Sequence, residues 1–283
     1  MFNWKEIFHQ HTFRYINQTQ EKTFQNEPFT AYTSFAIDDA LAESVNAGKS
    51  PPTMRLWVHP DTVVLGIIDG RLPYLADGVR YLKNQGYHTL IRNSGGLAVA
   101  LNDGVLNMSL VIPDVEHISI YKAYEAMVHF VQYMLHDLTN DIKAYEIVGS
   151  YCPGDYDLSI DGKKFAGISQ RRIKNSAAVQ IYMDVEGDSQ QRAALIKQFY
   201  EHGKRDVDTR FTYPDIVPET MASLSELLKM DITVDDMKQR AVTALESLAT
   251  TVRTIPFSND EHEIFTKRRK QMEQRNDIIS SIR

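Results

Sequence analysis

The strongest constraint on the fold is a hairpin pattern near the middle of the chain. Residues 156–160 alternate polar and apolar side chains, Asp161 and Gly162 follow, and residues 163–166 form a second extended run. An Asp-Gly pair between two such runs is typical of a two-residue turn that joins antiparallel strands. The sequence therefore predicts a β-hairpin at this point.

The register of this hairpin predicts which side chains share a face of the sheet. With a two-residue turn, Ser159 lies opposite Lys164 and Asp157 lies opposite Ala166. Because side chains alternate between the two faces of a strand, Lys164 should share a face with Ser159 and Asp157.

The single cysteine of the chain, Cys152, stands just before the hairpin and is followed by Pro153 and Gly154. A free cysteine is most often a small buried hydrophobic residue. A Pro-Gly turn is not core composition, however, and a nearby cation such as Lys164 would raise the thiolate fraction of the thiol. The residues alone leave both interpretations open, a core cysteine or a nucleophile folded back toward the lysine.

Composition and charge limit the classes of protein. The 283 residues suffice for a large core, and the 43% hydrophobic and 24% charged content is ordinary for a globular protein. No apolar run approaches a membrane span and the first residues lack a targeting pattern, so we expect a cytoplasmic protein. One cysteine excludes internal disulfides, and a net charge of −6 argues against nucleic acid as the main partner.

Hydrophobic periodicity predicts a mixed α/β (α+β) chain. Helices are expected at residues 34–45 (capped by Ser34), 73–85, 120–138 and 192–202, and strands at residues 54–58, 62–68, 88–92, 97–101, 105–112 and 178–184. After residue 213 the pattern indicates helices only, introduced by capping-box patterns at Ser223, Thr233 and Ser258. We expect residues 1–213 to hold an N-terminal arm and a mixed α/β domain with its core at 30–213, and residues 214–283 to form a helical appendage packed on it.

Several motifs have a structural and a functional interpretation. Gly95 and Gly96 lie between two predicted strands, where they fit a tight turn or the close approach of a ligand or of a second backbone. Met and aromatic residues on the helix at 120–138, including Tyr124, are expected in the core. The pair Arg171-Arg172 with Lys174 fits a solvated turn or a contact for an acidic partner. Histidine spacings predict no metal site; the closest pairs are His9 with His11, and His129 with His136.

Two motifs resemble a known family. Arg92-Asn-Ser-Gly-Gly-Leu-Ala-Val99, followed by Gly104-Val-Leu-Asn107, is similar to the first signature of the biotin/lipoate protein ligase superfamily. The run from Asp157 to Gly167 resembles the second signature, in which the active-site lysine of the family corresponds to Lys164. This resemblance implies a mixed, largely antiparallel sheet with flanking helices.

Departures from the ligase pattern bear on the activity. Lipoate ligases usually carry glycine, histidine and aspartate where this chain has Leu97, Leu101 and Asn102, and they favour a basic residue where Ile67 stands. The resemblance therefore argues against adenylation, and we expect no ATP and no metal as cofactor.

The sequence around Cys152 and Lys164 resembles that of a cysteine acyltransferase branch of this superfamily. Such a protein moves an octanoyl (or lipoyl) group from a lysine amide of glycine cleavage H protein to a lysine of the lipoyl domains of 2-oxoacid dehydrogenases, in lipoate biosynthesis. The resemblance implies a thioester on Cys152, with Lys164 stabilising the thiolate and protonating the leaving amine. The implied substrate-binding residues are Arg92, Ser94, Gly95, Gly96 and Gly167, and the backbone N–H of Gly167 or of its neighbours is expected in the oxyanion hole.

Two rival functions remain open. An enzyme of the same fold takes octanoate from acyl carrier protein, and a non-catalytic module would only bind lipoyl domains. In either case we expect no nucleic acid or membrane partner, and we expect a monomer.

Overall fold

A computed structural model describes residues 3–9 and 12–282, and His11 lies outside these ranges. The strands are β1 (Phe13–Gln18), β2 (Thr23–Phe24), β3 (Glu27–Pro28), β4 (Thr53–Trp57), β5 (Thr62–Leu65), β6 (His88–Ile91), β7 (Val99–Leu101), β8 (Val105–Pro113), β9 (Lys143–Ala144), β10 (Leu158–Ile160), β11 (Lys163–Ile173), β12 (Ser176–Asp184) and β13 (Val252–Arg253). The α-helices are α1 (Ala31–Asn46), α2 (Leu75–Asn84), α3 (Ile120–Met134), α4 (Ser189–Lys204), α5 (Leu224–Leu228), α6 (Val234–Leu248), α7 (Asn259–Arg275) and α8 (Asp277–Ser280).

The strands form one large and one small sheet beside the short β2–β3 ribbon. The large sheet has the order β13-β1-β4-β8-β12-β11-β10-β9, and the small one has the order β6-β5-β7. In the large sheet, β1 runs parallel to β4 and β13, and every other pair is antiparallel. This confirms the predicted mixed, largely antiparallel sheet with flanking helices.

Three apolar cores surround these sheets. Helices α3 and α6 cover the large sheet on one side, α1 and α7 contribute to a second core, and α2 and α4 pack with the small sheet in a third. Met127, Val131 and Met134 are buried on α3 as predicted. Tyr124 differs, because its ring lines a cavity described below.

Helix α1 begins earlier than predicted. Thr30 is its cap, in extended conformation, and Thr30 and Thr33 form a reciprocal capping box. Ser34 therefore lies inside the first turn, where its hydroxyl is hydrogen-bonded to His59 Nε2 at 3.0 Å. The expected serine cap is wrong because a threonine four residues earlier satisfies the free N–H groups.

The predicted hairpin is present, with one correction to its register. Asp161 and Gly162 have φ values of 51° and 75°, as a two-residue turn with a right-handed strand twist requires. Ser159 pairs with Lys164 as expected, but Ala166 pairs with Leu158 instead of Asp157. The predicted Asp157 pairing is wrong because the register shifts between Leu158 and Ser159, so that Phe165 on the partner strand has no opposite residue.

The C-terminal part contains more than helices. Helices α5, α6 and α7 start directly after Ser223, Thr233 and Ser258, whose side chains cap them as predicted. The prediction of helices only after residue 213 is wrong at one point, because strand β13 extends the edge of the large sheet alongside β1. Both α6 and α7 pack on elements from before residue 213. The domain division at that residue stays a prediction.

Candidate active site

A cavity of about 310 Å³ lies between the hairpin, the two sheets and α3. Carbon-rich side chains supply much of its wall, and Arg92, Gly95, Gly96, Cys152 and Gly167 are also on its surface. This lining suits a saturated acyl chain, which needs a dry wall and few polar partners. The main apolar lining residues are Phe35, Trp57, Val64, Val99, Leu101 and Ile181.

The thiol of Cys152 lies on this cavity in a defined polar setting. Its Sγ accepts a hydrogen bond from the main-chain N–H of Leu97 at 3.1 Å and another from Arg92 Nη2 at 3.3 Å. Cys152 is half-buried and has a left-handed φ of 46°. A non-glycine residue adopts this conformation only when its neighbours hold it there. The thiol is therefore oriented by the fold, which is the setting of a nucleophile rather than of a core cysteine.

Lys164 meets Cys152 through the main chain. Its side chain is fully buried, and Nζ donates to the carbonyl oxygens of Cys152 at 2.8 Å and Tyr151 at 2.9 Å. Nζ also lies 2.9 Å from Asp157 Oδ1 and 3.3 Å from Ser150 Oγ. The turn thus brings the two predicted catalytic residues together, with the ammonium bound to oxygen atoms around the cysteine.

Asp157 connects Lys164 to the loop that carries the cysteine. Besides its ion pair with the lysine, its carboxylate accepts from the main-chain N–H groups of Ile147 at 3.3 Å and Gly154 at 3.2 Å. Burial raises the pKa of Asp157, and the charge of Lys164 opposes that shift. The buried pair fixes both ends of the loop around Cys152.

The two glycines differ in how closely other atoms pack against them. A Cβ on Gly96 would lie 2.1 Å from Arg92 Nη2 and 2.9 Å from Cys152 Sγ, and Gly96 has a φ of 102°. A Cβ on Gly95 would meet no atom within 4 Å. Gly96 therefore permits close approach to the thiol. It also needs Gly66, because a Cβ there would lie 1.9 Å from the carbonyl oxygen of Gly96.

Of the other predicted substrate-binding residues, Gly167 lines the cavity and Ser94 does not. Ser94 is buried and is not among the cavity-lining residues, and its hydroxyl has no hydrogen-bond partner among residues 3–9 and 12–282. Gly167 lies in β11 opposite Tyr182, whose ring a Cβ on that glycine would approach to 2.7 Å. The packing of Tyr182 accounts for this glycine, and its oxyanion role stays a prediction.

A hydrogen-bond network that the sequence did not predict holds the loop that contains Leu97. Asp69 accepts from the N–H of Gly66 at 2.7 Å and from the hydroxyl of Tyr200 at 2.9 Å, and that hydroxyl accepts from the N–H of Ala98 at 3.2 Å. Burial raises the pKa of Asp69 to about 6. The turn after β5 gives a weak local signal for Asp69, whereas nothing in the sequence points to Tyr200 on the distant α4.

A second missed network lies under the cavity. Asp38 of α1 accepts from Arg55 Nε at 2.9 Å, from Ser109 Oγ at 2.9 Å and from the side chain of Gln180 at 2.6 Å. Gln180 lines the cavity, and the guanidinium of Arg55 stacks 3.8 Å from the ring of Trp57, another lining residue. Buried charge thus fixes part of the cavity wall.

The two arginines on β11 form hydrogen bonds within the molecule. Arg171 Nε donates to Asp39 at 3.2 Å, and Arg172 donates to the carbonyl oxygens of Val115 at 3.0 Å and Ile118 at 2.6 Å. The solvated-turn interpretation is wrong for these two residues, which lie in β11, whereas Lys174 is exposed in the turn that follows. The contact for an acidic partner stays a prediction. The same Asp39 accepts from Asn93 at 3.1 Å, which ties the loop after β6 to α1.

No group of three or more His, Cys, Asp or Glu within residues 3–9 and 12–282 is arranged to hold a metal ion. None of the helices in that part of the chain is both long and apolar enough to cross a bilayer.

Fold and sequence place the chain in a known class. It belongs to the lipoyl protein ligase A/B catalytic domain family, whose model matches residues 30–246. The resemblance to the biotin/lipoate protein ligase superfamily is thereby confirmed.

Individual relatives are more specific. The chain is 58% identical to "Octanoyl-[GcvH]:protein N-octanoyltransferase" of Oceanobacillus iheyensis, over 98% of this chain and 99% of that protein. It is 43% identical to "Lipoyl-[GcvH]:protein N-lipoyltransferase" of Listeria monocytogenes, over 96% of this chain and 97% of the relative. Among solved structures, a putative lipoate protein ligase from T. acidophilum with bound lipoic acid matches with a TM-score of 0.70 and 19% identity, over 93% of this chain and 98% of that one. This last likeness concerns the fold.

Proposed function

We propose that this protein transfers an octanoyl group from a lysine amide of glycine cleavage H protein to a lysine of lipoyl domains, with Cys152 as nucleophile. The observation that carries the proposal is the Cys152 thiol, which lies on an apolar cavity and accepts two hydrogen bonds. The names of the relatives support the choice of donor. Lipoyl domains of 2-oxoacid dehydrogenases are the acceptors that we propose.

The first half of the reaction cleaves the donor amide. The thiolate of Cys152 attacks the octanoyl carbonyl carbon, a C–S bond forms, and the C–N bond to the donor lysine breaks. Because a thiolate leaves more readily than an unprotonated amine, the departing nitrogen must receive a proton. We assign this proton to Lys164, whose ammonium lies at the carbonyl oxygen of Cys152. The products are an octanoyl-thioester and a free donor lysine.

The second half forms the new amide. The neutral amine of the acceptor lysine attacks the thioester, the C–S bond breaks, and the proton lost by the amine returns to Lys164. One lysine amide replaces another, so the overall reaction is close to thermoneutral and needs neither ATP nor a metal. The proposal also keeps the monomeric state and cytoplasmic location expected from the sequence.

Intact-protein mass spectrometry tests the acyl-enzyme. After mixing with octanoyl-H protein, the native chain should carry one octanoyl group, and loss of this adduct in Cys152→Ala would place it on the single cysteine. Cys152→Ala should show neither the adduct nor transfer to a lipoyl domain. Full transfer by this variant would refute the covalent route.

A donor comparison tests the assignment of substrate. Octanoyl-H protein, lipoyl-H protein and octanoyl-acyl carrier protein are each offered with a lipoyl domain as acceptor. We expect transfer from octanoyl-H protein, while transfer from acyl carrier protein alone would favour the first rival function. Binding of lipoyl domains without transfer from any donor would favour the binding module.

A further inference from the structure

Two buried cations lie near Cys152, and their surroundings differ. Lys164 has its charge opposed by Asp157 at 2.9 Å, and its other contacts are oxygen atoms of the main chain and of Ser150. Arg92 is also buried, and although its charge acts on Asp69, no carboxylate within residues 3–9 and 12–282 lies close enough to form an ion pair with it. Its contacts are the carbonyl oxygen of Leu97 at 2.8 Å and the sulfur of Cys152 at 3.3 Å.

We propose that Arg92 is a catalytic residue that stabilises the thiolate of Cys152, together with the main-chain N–H of Leu97. A buried positive charge without a carboxylate partner gains most from an anion forming next to it. The Lys164 charge is already balanced by Asp157, so it adds less to the thiolate. This inference rests on the proposed function, and it moves Arg92 from substrate binding to the reacting sulfur.

The two cations then have separate roles. A guanidinium keeps its proton throughout the pH range of folded proteins, so Arg92 can stabilise the sulfur charge without exchanging protons. An ammonium can give up its proton, which suits Lys164 to protonate the leaving amine. Lys164 also acts as a positioning residue, because its bond to the carbonyl oxygen of Cys152 supports the left-handed conformation there.

The loop geometry serves the same contact. One atom, Arg92 Nη2, bonds both the carbonyl oxygen of Leu97 and the sulfur, which fixes the guanidinium against the thiol. Gly96 leaves room for it, since a Cβ there would lie 2.1 Å from Nη2. The thiol is thus held by one loop that supplies both the charge and the N–H donor.

Alkylation by iodoacetamide measures this role without any acyl substrate. Since the chain has one cysteine, the rate of whole-protein alkylation reports the thiolate of Cys152 alone. We expect Arg92→Gln to alkylate about tenfold more slowly than the native protein at pH 7, and to approach the native rate at high pH. Arg92→Lys should lie between the two because it keeps the charge but loses the fork of donors.

Controls separate this role from general damage. Arg171→Gln removes an arginine of β11 that pairs with Asp39, and its alkylation profile should match that of the native chain. Thermal melts check folding, and Arg92→Lys serves as the decisive variant if Arg92→Gln does not fold. Native pH profiles in both Arg92 variants would overturn the inference. Failure of octanoyl transfer by the native enzyme would instead overturn the proposed function and leave the alkylation result standing.

Discussion

At the residue scale, the site depends on how closely a few atoms approach the sulfur of Cys152. The Leu97 N–H and the Arg92 guanidinium contact it directly, while Lys164 and Asp157 hold the backbone around it. The sequence motifs contain Arg92, Lys164 and Asp157, with Arg92 expected in substrate binding, but they gave no indication of Leu97 as a donor. That contact could not be predicted, because a main-chain N–H carries no residue signature.

Gly96→Ala should disable the site, whereas Gly95→Ala should not. The new Cβ at residue 96 would crowd both the sulfur and Arg92 Nη2 at a φ of 102°, while the one at residue 95 meets nothing within 4 Å. We expect at least about a hundredfold loss of transfer rate for Gly96→Ala, equivalent to about 3 kcal/mol, and less than about a twofold change for Gly95→Ala. Steady-state transfer to a lipoyl domain measures both, and equal losses in the pair would contradict the close-packing argument.

Asp157→Asn tests the buried ion pair. The amide keeps the shape of the carboxylate but leaves the ammonium of Lys164 uncompensated at a fully buried position. Breaking such a pair by removing one partner costs about 3–5 kcal/mol of the free energy of unfolding. Urea denaturation measures this loss, and Asp155→Asn, at an exposed position two residues away, is the control. A variant as stable as the control would show that the pair adds nothing to stability.

At the element scale, the hairpin was the most predictable part of the fold and its register the least. Local chemistry fixes the Asp161-Gly162 turn, so strands β10 and β11 and the Ser159–Lys164 pair follow from sequence. The extra residue at Phe165 does not, because a bulge depends on how the strand packs on the core. Asp157 still reaches Lys164 from just outside β10, so the predicted proximity survives the wrong pairing.

Helix α4 contributes to the site at a distance through Tyr200. Its hydroxyl links the carboxylate of Asp69 to the N–H of Ala98, the residue after Leu97. Tyr200→Phe should leave that N–H and one carboxylate oxygen without partners, and we expect the transfer rate to fall about tenfold with about 1–3 kcal/mol lost in stability. Tyr81→Phe is a matched control, since the ring of Tyr81 stacks on His202 at the surface. An unchanged rate in the Tyr200 variant would show that the loop keeps its position without this link.

At the scale of the whole molecule, the site joins elements that are far apart in sequence. The thiol comes from the loop before β10, and its donors come from the loop between β6 and β7. The turn after β5 supplies Asp69, α1 supplies Asp39 and α4 supplies Tyr200. Motif resemblance found the two loops, because their residues stand close together along the chain. The supporting residues could not be predicted, since their partners are set only by tertiary packing. Their burial also makes stability depend on pH.

Buried titratable groups should act on stability in opposite directions between pH 3 and 6.5. Burial, aided by the charge of Arg55, lowers the pKa of His59 to about 3. Between pH 3 and 6.5 the imidazole is therefore protonated in the unfolded chain and neutral in the folded chain. His59 therefore adds stability above pH 6.5 that is lost as the pH falls toward 3. Burial raises the pKa of Asp69 and Asp184 to about 6, so these acids favour folding below about pH 4 and lose that contribution as the pH rises through 6.

His59→Gln removes the histidine contribution and leaves the acids. We expect the difference in the free energy of unfolding between the native chain and this variant to change by up to about 1.4 kcal/mol per pH unit below pH 6.5. The native chain should gain less stability than the variant as the pH falls from 6 to 4, because the contribution of His59 opposes that of the two acids without cancelling it. Urea titrations at half-unit pH steps measure both curves. Parallel curves would mean that His59 becomes protonated in the folded state, and that the buried ring beside Arg55 tolerates a charge.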